Sequence, residues 1–459
     1  MNRIMIAGTN SGCGKTTVAL GLMAALNRKM KVQPYKVGPD YIDPAFHTAI
    51  TGRDSSNLDS WILPMEEVKN IFVKNSSDAD ISIIEGVMGM HDGFGIEKDS
   101  GSSSHVAKIL NVPVIIVLNA KAMALSAAAL VKGFAEFDPE VNVAGVIVNN
   151  VMGERHYRLL KDSIENHTKI KVLGYLPTNK NFGLSSRHLG LIPSYEVEDL
   201  LKKINLIGDE IEKYIDLEEI IKISQVNWNE NKTYIPEEKI TEDVNIAIAF
   251  DKAFNFYYKD SLQLLEEYGA NIVKFSPIND TELPENIDAL YFGGGFPEIF
   301  SNELEANNSI KKSIVERLKN GIPYLAECGG LMYLSRKLIN FDKTENWMTG
   351  WFDFDCEMTE RLQRFGYQEI KLKSDSILGA SGSKIRAHEF HRSKITGELS
   401  DTLYAIEKKN HYECKKWECG FIKGNGIAGY PHLHFRGNKN FAKSFIKSAE
   451  KYRKQRCNI

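Results

Sequence analysis

The chain has 459 residues, 43% hydrophobic and 25% charged, which is ordinary for a folded globular protein and argues against a disordered or collagen-like chain. Lys and Arg number 57 and Asp and Glu 60, so the net charge of −3 offers no general basic field for nucleic acid. Six cysteines are too few for a disulfide framework. The most apolar window, 112–134, is interrupted by Pro113, Asn119, Lys121 and Lys132, which argues against a membrane span. We therefore expect a cytoplasmic protein of two to four domains, with no nucleic-acid or membrane partner.

The first half of the chain alternates strand-like runs with helix-length segments. In the segment 17–26, Val18, Leu22 and Leu26 recur every four residues and form one apolar stripe of a helix. Continuous Val- and Ile-rich runs, typical of parallel strands buried on both faces, lie at 3–7, 81–84, 112–118 and 143–148. This alternation predicts a doubly wound α/β domain over residues 1–225.

A polar segment, 226–243, contains Pro236, lacks a hydrophobic period and predicts a linker. A long surface loop within one domain is the alternative. From Val244 onward a second α/β pattern predicts a second doubly wound domain over 244–440, and the basic segment 441–459 predicts a closing helix. The pattern comprises strand-like runs at 244–250, 272–275, 289–292 and 323–326 and a helix at 310–319.

A glycine-rich segment, 8–17 (GTNSGCGKTT), lies between the first predicted strand and the first predicted helix, the context of a phosphate-binding P-loop. Its backbone N–H groups would surround the phosphates of ATP. Lys15 would contact the β- and γ-phosphates, and the Thr16 hydroxyl would bind Mg²⁺. The pattern is a variant, because Thr9 stands where the usual loop has glycine and Gly8 precedes it. The residues predicted to contact the nucleotide are Thr9, Asn10, Gly12, Gly14, Lys15, Thr16 and Thr17.

Two strand-end residues extend this predicted site. Glu85 follows the apolar run 81–84 in the Walker-B position and would bind Mg²⁺ directly or through water. Asn149 follows the run 143–148 and is placed to contact adenine, with a turn asparagine as the alternative. No Asn-Lys-x-Asp guanine signature follows the later strands.

A more specific signal than the P-loop comes from the segment 36–44 (KVGPDYIDP), which is followed by His47, together with 57–59 (NLD) and 85–93 (EGVMGMHDG). They resemble the cobyrinic acid a,c-diamide synthase family, and the resemblance covers about residues 1–440. It implies a dethiobiotin-synthetase-like first domain and ATP-dependent amidation of the a and c acetates of cobyrinic acid, with glutamine as nitrogen donor. It also implies that Asp40, Ile42 and Asp92 belong to the substrate site. Turn-capping is the alternative for the two aspartates.

The chemistry implied by this resemblance needs concentrated positive charge. Ammonia attacks a carboxylate only after one oxygen becomes a leaving group, which transfer of the γ-phosphoryl group achieves by forming an acyl phosphate. Catalysis of that transfer depends on positioning and charge neutralisation. Lys15, Lys36 and Mg²⁺ held by Thr16 and Glu85 would supply the charge.

A nucleophile elbow is predicted in the second domain. The segment 324–334 (YLAECGGLMYL) reads as a strand, a sharp turn at Cys328 and a helix, with Ala326 and Gly330 small enough for a strained turn. The helix N-terminus and a nearby imidazolium would lower the thiol pKa. His432 is the candidate base.

A glycine loop, 293–298 (GGGFPE), would complete this second site. The N–H groups of Gly294, Gly295 and Gly329 would form an oxyanion hole. The set resembles class I glutamine amidotransferases of the cobyric-acid-synthase type, in which Cys328 would attack glutamine, release ammonia and leave a glutamyl thioester.

The third member of this catalytic set is not evident in the sequence. Many class I domains carry His-x-Glu, whose Glu orients the His, but His434 stands at that position here. The third member is therefore missing or replaced. Glu389 is a substitute to which we assign no catalytic role at this stage.

Two alternatives stay open. The same chemistry on hydrogenobyrinic acid or nickel-sirohydrochlorin would use the same motifs. A regulatory or partitioning P-loop ATPase is the more remote alternative, because such proteins usually carry a signature Lys where this chain has Asn10 and they lack a Cys elbow domain. The expected partners are cobyrinic acid, ATP and L-glutamine, and a homodimer is left open.

Overall fold

The computed structural model divides the chain into two compact units, Met1–Tyr234 and Ile235–Ile459. The division falls within 226–243, the segment predicted as a linker. The structure describes residues 1–179, 194–228, 234–242, 244–399, 401–409 and 411–457.

The described part of the first unit contains one seven-stranded sheet. Its strands are β1 (Arg3–Gly8), β2 (Val32–Val37), β3 (Ser56–Leu58), β4 (Ile81–Glu85), β5 (Val114–Asn119), β6 (Val143–Val151) and β7 (Val172–Pro177). They lie in the order β3-β2-β4-β1-β5-β6-β7, and every pairing is parallel. The Val- and Ile-rich runs become buried strands because both faces of a parallel sheet are covered.

The described part of the unit has eight helices, of which the first six connect successive strands and the last two follow β7. They are α1 (Lys15–Asn27), α2 (Ile42–Thr51), α3 (Met65–Ser76), α4 (Ser103–Leu110), α5 (Ser126–Phe137), α6 (Glu154–Thr168), α7 (Ser194–Tyr214) and α8 (Leu217–Ser224). Val18, Leu22 and Leu26 of α1 are buried, as their spacing predicts. Gly21 permits the close approach of α7, because a Cβ at this position would lie 2.7 Å from Ile207 Cγ2.

The second unit is built on a larger, mixed sheet. Its strands are β8 (Val244–Ala249), β9 (Phe254–Phe256), β10 (Ala270–Phe275), β11 (Ala289–Phe292), β12 (Gly294–Gly295), β13 (Tyr324–Glu327), β14 (Lys337–Ile339), β15 (Glu345–Trp347), β16 (Asp355–Met358), β17 (Arg364–Leu372), β18 (Lys384–His391), β19 (Ser393–Thr396), β20 (Thr402–Lys409), β21 (Cys414–Ile422), β22 (Gly426–Gly429) and β23 (His432–Leu433). Ten of these strands form one sheet in the order β10-β8-β11-β13-β22-β21-β20-β17-β18-β23.

The two halves of this sheet differ in direction. The pairings from β10 to β22 are parallel, whereas those from β22 to β23 are antiparallel. The predicted strands belong to the parallel half. The antiparallel half adds strands such as β18, whose residues alternate between buried and less buried positions. Two smaller sheets have the orders β15-β14-β16-β19 and β12-β9.

Five helices complete the described part of this unit: α9 (Lys259–Glu267), α10 (Ser301–Ala306), α11 (Asn308–Lys319), α12 (Gly329–Leu334) and α13 (Lys439–Arg456). Helix α13 begins two residues before the predicted tail and packs Phe441, Phe445 and Ala449 into the core of the second unit. The predicted α/β class is confirmed for both units. Among the described helices, none combines the length and hydropathy that a membrane crossing requires.

Candidate active sites

The phosphate loop lies between β1 and α1. Gly12 and Gly14 have φ angles of 81° and 97°, values that glycine adopts without the strain a Cβ would cause. Packing requires the glycine at position 8 of this variant motif, because a Cβ there would lie 2.5 Å from the sulfur of the buried Cys13. Lys15 begins α1 and donates a hydrogen bond to the Met88 carbonyl oxygen at 3.2 Å.

Glu85 is the centre of a buried polar network at the carboxyl end of β4. It is fully buried, and its Oε1 accepts hydrogen bonds from Thr16 Oγ1 at 2.6 Å and Lys36 Nζ at 2.9 Å. Its Oε2 lies 2.8 Å from His47 Nε2. Lys36 also forms an ion pair with Asp43, at the start of α2. The network thus joins groups from β2, β4, α1 and α2.

Charge pairing determines the protonation of this network. Burial by itself would raise the pKa of Glu85, but Lys36, His47 and Thr16 outweigh burial and hold that pKa well below its usual range. Burial opposes the charge of Lys36, and the carboxylates of Glu85 and Asp43 overcome it and raise the pKa of Lys36. Burial and the nearby Lys36 lower the pKa of Lys15. An anionic ligand would relieve the repulsion between the two lysines.

Asp40 and Ile42, two of the predicted substrate residues, lie in one turn after β2. Asp40 Oδ1 accepts a hydrogen bond from the Ile42 N–H at 2.8 Å, which is the turn-capping contact considered as the alternative role. The Asn57 side chain donates to the Gly38 and Asp40 carbonyl oxygens, both at 2.8 Å, and so links the end of β3 to this turn.

Asp92, the third predicted substrate residue, lies in the loop after β4. It is exposed, and its Oδ2 accepts a hydrogen bond from the Gly89 N–H at 2.9 Å. A Cβ at Gly89 would lie 3.1 Å from the Thr9 carbonyl oxygen, so the Asp92 loop approaches the phosphate loop closely.

The other residues predicted to contact the nucleotide lie either in the phosphate loop and the start of α1 or in β6. Thr9 and Asn10 lie in the exposed part of the loop and hydrogen-bond to each other at 2.9 Å, whereas Thr17 lies in the first turn of α1. Asn149 donates to the Cys13 carbonyl oxygen at 2.9 Å and lies against Gly14, where a Cβ would overlap its amide. Asn149 therefore supports the loop in this structure, and its predicted contact with adenine stays a prediction.

The groups predicted to bind Mg²⁺ fit such an ion as part of a nucleotide complex. The Thr16 hydroxyl and Glu85 carboxylate converge at one point beside the phosphate loop. Within the described residues, no group of three or more His, Cys, Asp or Glu side chains could hold a metal ion. Mg²⁺ commonly uses one or two carboxylates and completes its shell with water and phosphate oxygens, which is compatible with this donor set.

The nucleophile elbow of the second unit is formed as predicted from the sequence. Cys328 lies between β13 and α12 with φ 46° and ψ −100°, a strained conformation for a residue with a Cβ. Its side chain is largely buried. Gly330 is required by packing, because a Cβ there would overlap the Phe292 carbonyl oxygen.

The predicted glycine loop packs beside the elbow and the candidate base. A Cβ on Gly294 would overlap His432 Cε1, and a Cβ on Gly329 would lie 2.9 Å from the Gly295 backbone nitrogen. The three predicted oxyanion-hole residues and His432 are therefore brought together. Gly293, the first residue of the loop, uses its N–H to donate to Tyr257 Oη at 2.8 Å.

Burial favours the neutral forms of Cys328 and His432, contrary to the expectation of a lowered thiol pKa. Burial raises the pKa of Cys328, and the carboxyl groups of Glu298 and Glu389 raise it further. Burial and the nearby His388 and His391 lower the pKa of His432 to about 3. Forming the thiolate therefore requires groups that stabilise the imidazolium during the reaction.

The carboxyl group of Glu327 lies close to the candidate base. Its Oε2 lies 3.8 Å from His432 Nδ1. Glu389 instead has its Oε1 2.9 Å from His391 Nε2, and the His391 ring stacks on Tyr430. Glu389, the candidate substitute for the third member, is therefore paired with a histidine other than His432.

The sequence matches family models over both units. A CobQ/CobB/MinD/ParA nucleotide binding domain matches residues 4–191, and a CobB/CobQ-like glutamine amidotransferase domain matches residues 245–440. The chain is 46% identical to the cobyrinate a,c-diamide synthase of Caldanaerobacter subterraneus subsp. tengcongensis over 96% of this chain and 97% of that protein. The chain belongs to the cobyrinate a,c-diamide synthase family. Synthases of the same name from Clostridium tetani and Listeria innocua are each 45% identical, covering 97% and 95% of this chain and 100% and 97% of theirs.

Membership of the cobyrinate a,c-diamide synthase family confirms the predicted enzyme class, a glutamine-hydrolysing ligase with an ATP-binding P-loop domain. Three residues of the two sites were missed as functional candidates: Asp43, His47 and Glu327. Asp43 and His47 lie in or beside the segment 36–44, so their position in that motif was an available signal. Glu327 precedes the nucleophile at the end of a buried strand, which is also where Glu85 lies in the first unit.

Proposed function

We propose that the protein amidates the a and c acetate side chains of cobyrinic acid, using ATP and ammonia released from glutamine. The observation that carries this proposal is the presence of two different sets of reactive groups on one chain. The first unit has a phosphate loop with a buried Lys–Glu network, and the second has a strained cysteine and a glycine loop that packs against a histidine.

In the first unit, Lys15 and the backbone of the phosphate loop would bind the β- and γ-phosphates of ATP. Lys36 has a fixed position between two carboxylates, so its ammonium group needs little reorganisation to stabilise charge on the transferred phosphoryl group. Mg²⁺, held by Thr16 and Glu85, would supply further neutralisation of phosphate charge. Asp40, Ile42 and Asp92 would position the corrinoid so that its acetate attacks the γ-phosphorus and forms an acyl phosphate.

In the second unit, the sulfur of Cys328 would attack the side-chain carbonyl carbon of glutamine after its proton passes to His432. Gly294, Gly295 and Gly329 would donate N–H groups to the developing oxyanion. His432 would return the proton to the leaving nitrogen, so that ammonia departs and a glutamyl thioester remains. Water then hydrolyses the thioester to glutamate and regenerates the thiol.

The direct test is the mass of cobyrinic acid after incubation with the protein, ATP, Mg²⁺ and glutamine. Two amidations are expected, and no change in mass would contradict the proposal. Replacing Cys328 with Ala should abolish amidation with glutamine but leave amidation with ammonium ions. Loss of both reactions in a folded variant would refute the proposed division of roles.

Parallel assays with hydrogenobyrinic acid and nickel-sirohydrochlorin test the choice of macrocycle. We expect the largest kcat/KM with cobyrinic acid, and a larger value with either alternative would replace it as the proposed substrate. The cytoplasmic location and the absence of nucleic-acid or membrane partners stay predictions. A homodimer stays open and would be tested by the mass of the particle in solution.

A further inference from the structure

We propose that Glu327 orients His432 and stabilises its charged form during glutamine hydrolysis, as the third member of the Cys328 site. Glu327 would act through His432 and is therefore a positioning residue. The inference rests on the proposed glutaminase function and adds a residue that directly precedes the nucleophile in the chain.

The Glu327 carboxyl group lies close to the His432 ring. Its Oε2 is 3.8 Å from His432 Nδ1, a separation typical of an ion pair and too long for a hydrogen bond. Contacts of this kind often shorten when substrate binds or charge develops. Nδ1 faces Glu327, which leaves Nε2 of the same ring as the nitrogen to accept the thiol proton.

Two hydrogen bonds hold Glu327 in a fixed position. Its Oε1 accepts a hydrogen bond from the Leu433 N–H at 2.9 Å, and its Oε2 accepts one from Tyr291 Oη at 3.0 Å. Leu433 follows His432 in β23, so the same carboxyl group contacts both the backbone and the side chain of the segment that carries the base. A fixed carboxylate can orient an imidazole without a large entropic cost.

The two other candidates for the third member, His434 and Glu389, have other contacts. His434, at the position of the usual orienting Glu, is buried and stacks on Tyr258 with a ring separation of 4.6 Å. Glu389 pairs with His391. Of these three groups, Glu327 is the one whose carboxyl group contacts His432.

The proposed step is a balanced proton transfer. The S–H bond of Cys328 breaks as an N–H bond forms at His432 Nε2, and Nδ1–H donates to the Glu327 carboxylate. The resulting imidazolium lies between a thiolate and a carboxylate, so its charge is stabilised on both sides. The step starts from ionised Glu327, whose own proton has already passed to water. Burial raises the pKa of Glu327 to about 8, so the imidazolium stabilises a carboxylate charge that burial disfavours. The ionisable groups that face Glu327 are Tyr257, Tyr291, Tyr404, Cys328 and His432.

The test compares Glu327→Gln with Glu389→Gln, two similar changes at buried carboxyl groups that each contact a histidine. We expect Glu327→Gln to lower kcat for glutamine hydrolysis on the order of 10²-fold, with little change in KM for glutamine. Glu389→Gln should have a clearly smaller effect on kcat. Equal losses in the two variants, or a larger loss for Glu389→Gln, would overturn the proposal.

A double-mutant cycle distinguishes orientation of His432 from general support of the fold. The readout is the rate at which a diazoketone analogue of glutamine alkylates Cys328, which remains measurable when turnover is slow. Glu327→Gln should slow alkylation in the wild type and cause little further loss in His432→Asn, because its effect passes through the imidazole. Full additivity of the two losses would contradict this role.

Folding and the proposed function are monitored separately. Ammonium-driven amidation by the same Glu327→Gln preparation should stay within about twofold of the wild type, since Glu327 belongs to the glutamine site. If Glu327→Gln unfolds at the assay temperature, Glu327→Asp replaces it, and unchanged kcat in that variant would overturn the proposal. A wild-type protein that hydrolyses no glutamine would instead refute the proposed function itself.

Discussion

Each unit of the protein places a buried glutamate at the carboxyl end of a central parallel strand, but the two glutamates have opposite electrostatic environments. Glu85 ends β4 and is 0% exposed, and Glu327 ends β13 and is 2% exposed. Glu85 contacts an ammonium group, an imidazole and a hydroxyl group. Glu327 contacts a phenol, a backbone N–H and, at longer range, an imidazole. The comparison shows that a shared position in the sheet does not determine the charge of a residue.

The pKa shifts follow from these contacts. Lys36, His47 and Thr16 overcome the effect of burial and lower the pKa of Glu85. For Glu327, burial prevails over the hydrogen bonds from Leu433 and Tyr291 and raises the pKa to about 8. An ionised Glu85 paired with a charged Lys36 suits a site that binds phosphate anions. A carboxyl group whose charge burial disfavours and a neighbouring imidazolium would stabilise suits a site for neutral glutamine.

The largest expected effect is that of Glu85→Gln. Amidation with either glutamine or ammonium ions should fall at least about 10³-fold, because the change removes the charge that orients Lys36 and the predicted Mg²⁺ ligand. Glutamine hydrolysis should change far less. Product mass and glutamate release from one reaction mixture measure both activities, and equal loss of the two would contradict the separation of roles.

The same variant should also lose stability. The buried Lys36 would lose one of its two carboxylate partners. The free energy of unfolding should therefore fall by about 3 kcal/mol. Glu136→Gln is the matched control, because Glu136 forms an exposed pair with Lys132 at 3.9 Å. That control should change the free energy of unfolding by less than about 0.5 kcal/mol. Denaturant titration of both variants measures the difference.

The second largest effect is expected for Gly294→Ala, which tests the packing of the glycine loop on His432. The added Cβ would overlap His432 Cε1, so glutamine hydrolysis should fall on the order of 10²-fold through displacement of the base or the oxyanion donors. Ammonium-driven amidation should persist. Gly133→Ala is the control, because a Cβ at this exposed position of α5 meets nothing within 4 Å and should leave both activities unchanged.

A smaller effect is expected for His47→Asn, which removes the imidazole that contacts Glu85 Oε2. Glu85 would keep Thr16 and Lys36 but lose one of its fixed contacts. We expect the Mg²⁺ concentration for half-maximal amidation to rise about 10- to 100-fold, since groups that orient a metal ligand commonly contribute this much. Titration of Mg²⁺ at saturating ATP checks this, and an unchanged midpoint would rule out the orienting role.

The P-loop and the Cys328 elbow could be predicted from the sequence because each is a local pattern of about ten residues. Glu85 was predictable for the same reason, as a carboxylate that ends a buried run. The contacts of Glu85 with Lys36 and His47 join residues 49 and 38 positions apart, and no local pattern determines which partner each acid meets. Glu327 was not predictable from the usual His-x-Glu pattern, in which the orienting acid follows the histidine. Here the acid is at the end of β13, directly before the nucleophile.

The two glutamates should also differ in how they make stability depend on pH. The pKa of Glu327 is about 8 in the folded state and about 4.3 in an unfolded chain, so the folded protein binds one more proton between these values. This residue therefore makes the free energy of unfolding fall as pH rises, by at most about 1.4 kcal/mol per pH unit. Glu85 has a lowered pKa, so its stabilising contribution is present above about pH 4.3 and is lost as pH falls below that value. Denaturant titrations should show Glu327→Gln gaining stability relative to the wild type from pH 5 to 8. The loss in free energy of unfolding caused by Glu85→Gln should be constant over that range and become smaller below pH 5. If both variants instead showed the same dependence on pH, the two glutamates would share one charge state.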